Sequence, residues 1–420
     1  MDFLLGQNSV EGKISGYLDR FASLLILLAI LLPFLATISY ISVTVNRVAS
    51  FIQFLFVLVY TLPTIHFYKE LYSVSITARV VAVLLVITSI GWLVNYIPVY
   101  GIYQSWFYAV QVLFVGAAVV WFERCGISSF KWLFFSKIII FGITLALFVI
   151  YFLSLGEGGN PAAIKGNPPV FRHLRHFNYE LAFLSMLAVG MFFVWRVRSV
   201  HYSFWGGLFL VLGFVSVWSG GRGQLLALCF FLLCLAVFSR KILFDRSVLI
   251  SVLCFVVGGL LVFCTDWTYL VDSPLKRTVE FSSVNSVSSG RIAIWTEAIQ
   301  HLERSVFFGF GPDAFLRLPM KSGPVQPHSF LFQWLLEFGI VGSLALFIAL
   351  YKIVRHCLRV LRGDDSLAVI TAASFLSGLV FALVDGILYH ALPSIMMGLL
   401  LAFLYSSRCN PRRDKTVNGG

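Results

Sequence analysis

Long apolar runs that recur along nearly the whole chain constrain this sequence more than any other feature. Runs of about 16–23 residues lie near 21–39, 48–65, 80–97, 105–122, 133–155, 179–195, 204–219, 224–238, 247–265, 329–351, 367–384 and 391–406. At 1.5 Å rise per residue, most of them can cross a hydrocarbon core of about 30 Å. The expected fold is therefore an all-α integral membrane protein with about twelve transmembrane helices. Composition agrees. The chain is 59% apolar and 12% charged, against about 45–50% and 25% in soluble domains, which excludes a cytosolic enzyme or a secreted domain. The 7 cysteines fall mostly in or beside apolar runs without framework spacing, which excludes a disulfide scaffold. The first run is long, starts late and lacks a small-residue cleavage site, so no cleavable signal peptide is expected.

The net charge of +12 raises the question of a nucleic-acid partner, and its distribution answers it. With the N-terminus inside, the inner segments hold 20 of the 31 Lys and Arg and 9 of the 19 acids. Nearly all of the excess positive charge then lies on one side, as topology and anionic headgroups demand. No nucleic-acid partner is implied. Both termini are expected in the cytoplasm.

This orientation divides the chain. Residues 1–265 carry spans one to nine, with an outer segment at 156–178. A large outer loop follows over 266–327, between spans nine and ten. Residues 328–407 carry spans ten to twelve, and 408–420 form a cytoplasmic tail. A loop of about 60 residues exceeds what a simple connection needs. Within it, Ile292, Trp295, Ile299 and Leu302 recur at helical spacing, so Arg291 to Arg304 reads as an amphipathic helix. Ser288 or Ser289 is placed to cap it, and Trp295 suits a lipid–water boundary.

Polar residues from distant parts of the chain gather at the outer rim. They are Arg172, His173, Arg175 and His176; Arg222 in a Ser219-Gly220-Gly221-Arg222-Gly223 turn; Arg291 at the loop-helix start; His328 before span ten; and Asp385 with His390. The glycines beside Arg222 let a ligand approach the backbone, and a guanidinium can fork onto phosphate oxygens. Arg291 adds its cation to the positive end of a helix dipole. Two such cations without paired acids suit a doubly charged anion such as a pyrophosphate, and a lipid-linked one would bring its own apolar anchor. His328 titrates near neutral pH when unperturbed, and a helix N-terminus favours its neutral form, which suits a general base. There is no DxD, HExxH or CxxC motif, so no metal is expected. Arg172, Arg175, His176 and Asp385 are supporting candidates. Glu337 falls about 13 Å into span ten, where a carboxylate must be paired, solvated or protonated. It reads as a structural hydrogen-bonding group, and Glu180 reads the same way.

These residues also carry a resemblance. Ser289-Gly290-Arg291 … Trp295 … Gly309-Phe310-Gly311, followed by His328-Ser329 … Gln333 … Leu336-Glu337-Phe338-Gly339 … Gly342, resembles the signature region of the bacterial O-antigen ligase family. The Arg222 turn is similar to that family's SxSRG turn. Phe171–Tyr179 is similar to its RH segment, and Asp385-Gly386 with His390 and Pro393 is similar to a late segment. Two departures stand out: Gly220 and Gly221 replace the usual hydroxyl pattern, and His328 is followed by Ser329 rather than Asn or a second His.

The resemblance implies a GT-C-type glycosyltransferase of the bacterial inner membrane with its active site facing the periplasm. It would transfer O-antigen polysaccharide from undecaprenyl pyrophosphate to a sugar hydroxyl of lipid A–core, without cofactor or metal and with inversion. His328 would be the base, and Arg222 and Arg291 would grip the pyrophosphate. The superfamily also holds O-antigen polymerases, and a protein O-oligosaccharyltransferase would use the same type of donor. A lipid-linked sugar transporter is the contrasting class. It would place charges near the midplane and show inverted repeats, whereas here they gather at one rim.

Overall fold

The structure is a computed structural model that describes residues 16–29, 31, 42–94, 99–126, 133, 135–146, 174–195, 202–264, 290–319 and 326–406. Among these residues the secondary structure is helical, with no strand. Five helices are long and apolar enough to cross a membrane: Ile76–Leu93, Gly101–Cys125, Arg246–Cys264, Phe330–Val360 and Ser366–Val384. The chain is thus an all-α, multi-pass membrane protein. Shorter apolar helices run over Phe135–Ala146, Tyr202–Trp218, Arg222–Phe238 and Ala391–Tyr405.

Two expectations need correcting. The apolar run at 48–65 is broken at Tyr60, where Arg47–Val59 and Thr61–Ser73 meet with a bend of 82°. Tyr60 anchors that corner by donating from its hydroxyl to Asp19 Oδ1 at 2.7 Å. Lys137, one of the 20 Lys and Arg assigned to the inner segments, instead lies inside the bundle, 2% exposed, and pairs with Glu180 on the Leu174–Trp195 helix. A buried ammonium needs such a partner, and a sequence tally does not see it. Removing one cation does not change the inside bias.

The Leu174–Trp195, Ser366–Val384 and Ala391–Tyr405 helices are the most buried, and they form much of the apolar core. Their ends carry Arg175, Asp385 and His390, so the candidate site rests on the best-packed part of the molecule.

Candidate functional site

Asp385 is the centre. It caps the end of the Ser366–Val384 helix in an extended conformation and is 4% exposed. Its Oδ1 accepts from the Tyr179 hydroxyl at 2.8 Å and from the Gly386 backbone N–H at 2.8 Å. His328 Nδ1 lies 3.7 Å from the same oxygen. Oδ2 faces Arg291 Nη2 at 3.4 Å. Arg175 reaches the ring of His328, with Nη1 at 2.9 Å from Nδ1 and 2.6 Å from Nε2. The imidazole therefore lies between a cation and a carboxylate.

Arg291 opens the loop helix Arg291–Leu302, and Gly290 is its N-cap in a left-handed conformation, so the cap position belongs to Gly290 and not to a serine. Burial lowers the guanidinium pKa below its usual range; Asp385 opposes this, while Arg175 and Arg222 add to it by like-charge repulsion. Arg175 and Arg222, from two other helices, thus lie within electrostatic reach of Arg291. Arg291 Nε is buried with no hydrogen-bond partner among the described residues. The expectation of cations without paired acids is corrected for Arg291, which Asp385 partners.

The Arg222 turn is held against the Leu174–Trp195 helix. A Cβ on Gly221 would lie 2.7 Å from Asn178 Nδ2. A hydroxyl-bearing residue would collide there, which explains the glycine in place of the usual hydroxyl. His176 lies beside His390, with ring centroids 4.2 Å apart. Arg172 and His173 lie outside the described residues, as do Ser288 and Ser289.

His328 precedes its helix rather than starting it. Ser329 is the N-cap, the helix is Phe330–Val360, and His328 has φ 51. A left-handed conformation is uncommon for a residue with a side chain, and such strain gathers at functional sites. The turn is pinned from outside by Trp295, whose indole N–H donates to the Pro327 carbonyl at 2.7 Å and whose ring stacks on Phe332 at 5.0 Å. Trp295 therefore braces the His328 turn. This rotates the loop helix. Ile294, Ala298 and His301 are its buried face, while Ile292 and Ile299 are exposed. The expected apolar face was displaced because only Trp295 and Leu302 of it pack inward.

Glu337 is completely buried, as its hydrogen bonds allow. Oε2 accepts from the Tyr108 hydroxyl at 2.5 Å, and Oε1 accepts from Gln333 Nε2 at 2.7 Å and from the Asp313 backbone N–H at 3.2 Å. Just beyond it the helix breaks at Gly339, with φ 61 and ψ −167. Two regular helical bonds are exchanged for bonds to the loop. Ile340 and Val341 N–H donate to Val306 and Phe307 carbonyls at 2.9 and 3.1 Å, and the Leu336 and Glu337 carbonyls accept from Phe310 and Gly311 at 2.7 and 3.0 Å. The Trp92 indole N–H also donates to the Glu337 carbonyl at 2.9 Å. The Gly309-Phe310-Gly311 motif is thus the strip of loop that fills the helix break.

Sequence reasoning found His328, Arg291, Asp385, Arg175 and Arg222 as one rim but missed Tyr179, which orients Asp385. The signal was available: Tyr179 closes the Phe171–Tyr179 segment, one turn beyond Arg175. Among the described residues, no group of three His, Cys, Asp or Glu side chains is arranged to hold a metal ion. No curated protein matches the chain. Residues 207–347, which include Arg222, Arg291, His328 and the Gly339 break, match the family model described as O-antigen ligase, and this supports membership of the O-antigen ligase family.

Proposed function

We propose that this protein is a GT-C-type glycosyltransferase that moves O-antigen polysaccharide from undecaprenyl pyrophosphate to a sugar hydroxyl of lipid A–core. The observation that carries the reading is the grouping of Arg175 with His328, of His328 and Arg291 with Asp385, and of Arg175 and Arg222 near Arg291. Three such cations suit an anion of two or more charges, and the buried Arg291 Nε offers a further donor. Arg222 and Arg291 hold the pyrophosphate. His328 accepts the proton of the acceptor hydroxyl as its oxygen attacks the anomeric carbon. The bond from that carbon to phosphate breaks, the configuration inverts, and undecaprenyl pyrophosphate leaves with its charge met by the arginines. No nucleotide sugar or metal takes part in this scheme. The chain crosses the bacterial inner membrane about twelve times, with both termini in the cytoplasm and the site facing the periplasm. The bias of Lys and Arg between alternate loops supports this orientation.

The test is transfer by purified protein in lipid, supplied with undecaprenyl-pyrophosphate-linked O-antigen and, in separate reactions, lipid A–core, a second lipid-linked glycan, or a pilin-type protein. Glycan on lipid A–core is expected. Glycan joined only to the lipid-linked acceptor would make the protein a polymerase, and glycan on protein an oligosaccharyltransferase. Arg222→Lys and Arg291→Lys should each transfer poorly, because Lys keeps the charge and loses the fork. Wild-type turnover by both would remove the pyrophosphate clamp.

A further inference from the structure

Asp313 carries two local costs that no contact in the fold offsets. Its backbone is left-handed, with φ 57, and burial pushes its carboxyl up to about 6. An aspartate at a helix start ordinarily caps the helix or pairs with a cation one turn on. Asp313 does neither. It is the N-cap of the short helix Ala314–Arg317, yet its side chain makes no capping bond. Arg317 donates instead to the Phe310 and Pro312 carbonyls, at 2.7 and 3.0 Å. Among the described residues the carboxylate has no hydrogen bond or ion pair, and Arg317 acts on it only at longer range. Glycine or asparagine would suit this backbone without the charge, so the charge itself calls for a reason. Backbone strain and a perturbed carboxyl gather at functional sites. We propose that Asp313 lines an acceptor subsite, where its carboxylate accepts hydrogen bonds from hydroxyls of the sugar that receives the glycan. The proposal rests on the reading of His328 as the base.

Position supports this. Asp313 is half-buried, so a ligand can reach it. Its backbone N–H donates to Glu337 Oε1 at 3.2 Å, which fixes it against the half of the long helix that begins beside His328. The Tyr389 phenol lies within electrostatic reach of both Glu337 and Asp313. Tyr389 closes the short Ile387–Tyr389 helix, and Gly386, its N-cap, lies beside the base: a Cβ on Gly386 would be 3.8 Å from His328 Nδ1. One short turn thus joins the base to the surroundings of Asp313. From the Val99–Cys125 helix, half-buried Tyr103 also comes within electrostatic reach of Asp313, and Arg47 sits over its ring at 5.3 Å. Chemistry supports it as well. An ionised carboxylate only accepts hydrogen bonds and has two oxygens, so it can take two neighbouring sugar hydroxyls at once. Phenols exchange hydrogen bonds with further hydroxyls and offer ring surface to the C–H groups of a sugar. The same carboxylate repels a diphosphate. It therefore helps to sort the two substrates, the anionic donor to the arginines and the hydroxyl-rich acceptor to Asp313.

Two variants keep the backbone and change the carboxylate. Asp313→Gly removes the side chain and suits the left-handed conformation, and Asp313→Asn keeps the shape without the charge. The purified full chain in lipid nanodiscs is given undecaprenyl-pyrophosphate-linked O-antigen and whichever acceptor the wild type glycosylates, lipid A–core or a second lipid-linked glycan. The KM for the acceptor should rise about tenfold or more in Asp313→Gly, as for loss of a hydrogen bond to a charged group, and by less in Asp313→Asn. Both kcat at saturating acceptor and the KM for the donor should stay within about twofold of wild type. Binding of the same acceptor without donor, read by surface plasmon resonance on the immobilised chain, should weaken by the same factor as KM rises. Unchanged acceptor KM and binding in Asp313→Gly, or a fall in kcat alone, overturns the subsite. Transfer by the wild type to protein alone overturns it too, because no acceptor sugar then exists. His328→Gln tests the underlying reading separately: it should lose transfer and still bind acceptor as the wild type does. Normal transfer by His328→Gln, with weakened acceptor binding in Asp313→Gly, would remove the base and leave the subsite standing. A wild type that neither binds nor glycosylates either acceptor overturns both.

Discussion

Two buried carboxylates, Asp385 and Glu337, live in opposite electrostatic settings. Glu337 is sealed. Its oxygens take three neutral donors, its backbone carbonyl takes two more, and the loop closes over it. Asp385 is crowded by charge, with Arg291 on one oxygen, His328 near the other, and Arg175 and Arg222 close behind. Buried groups whose bonds are complete stabilise one conformation, whereas clustered like charge favours the approach of an anion. The first region is therefore a fastening and the second a receptor.

The largest effect that should separate them is on the base. His328→Gln should lose transfer by about 10²–10⁴-fold, roughly 3–5 kcal/mol in the barrier, while binding of the lipid-linked donor and the melting temperature stay near wild type. Near-normal transfer would make His328 a turn residue. Next comes Gly339→Ala. A Cβ there would lie 2.3 Å from the Phe307 carbonyl oxygen at a left-handed φ, so stability should fall by about 3 kcal/mol or more. Unchanged urea or thermal unfolding in detergent would mean that the loop does not fill the helix break.

Much of this was legible before the structure. The outer rim was, because charges are rare in the chain and five separate segments placed theirs at one boundary. Span positions were also legible where the apolar runs were clean, as at 367–384 against Ser366–Val384. The Gly339 break was not, since the apolar pattern continues through it and the exchange of hydrogen bonds involves backbone that carries no residue signature. The bend at Tyr60 was hidden for the same reason. The pairing of Arg291 with Asp385, 94 residues apart, needed tertiary proximity that no local pattern encodes.

A crossed pair of substitutions sharpens the comparison with a smaller expected change. Glu337→Gln should cost about 1–2 kcal/mol of stability by inverting one hydrogen-bonding oxygen, with transfer within about twofold of wild type. Asp385→Asn should do the reverse, lowering transfer about tenfold through loss of the charge that aligns Arg291 and His328, with little change in melting. Matching phenotypes for the two would erase the distinction between fastening and receptor.

The smallest effect is pH-dependent. Burial pushes the Asp313 carboxyl up to about 6, with Arg317 opposing it. The folded chain thus holds that proton more tightly than the unfolded one, and the stability it contributes below pH about 4 is lost as pH rises through about 6. Asp313→Asn stays neutral throughout. It should melt higher than wild type at pH 7.5 by an amount worth about 1 kcal/mol, after allowance for partial exposure, and this pH-dependent gain should vanish at pH 4. An equal gain at both values would assign the effect to Asn's tolerance of the left-handed backbone at this position, not to charge.

The spliced helix also has a mechanical meaning. A glycine break in a 31-residue rod is ordinarily a hinge, and here residues 306–311 are driven through it like a bolt. The half that begins beside His328 and the half that runs on to Val360 therefore move as one piece with the loop segment around them.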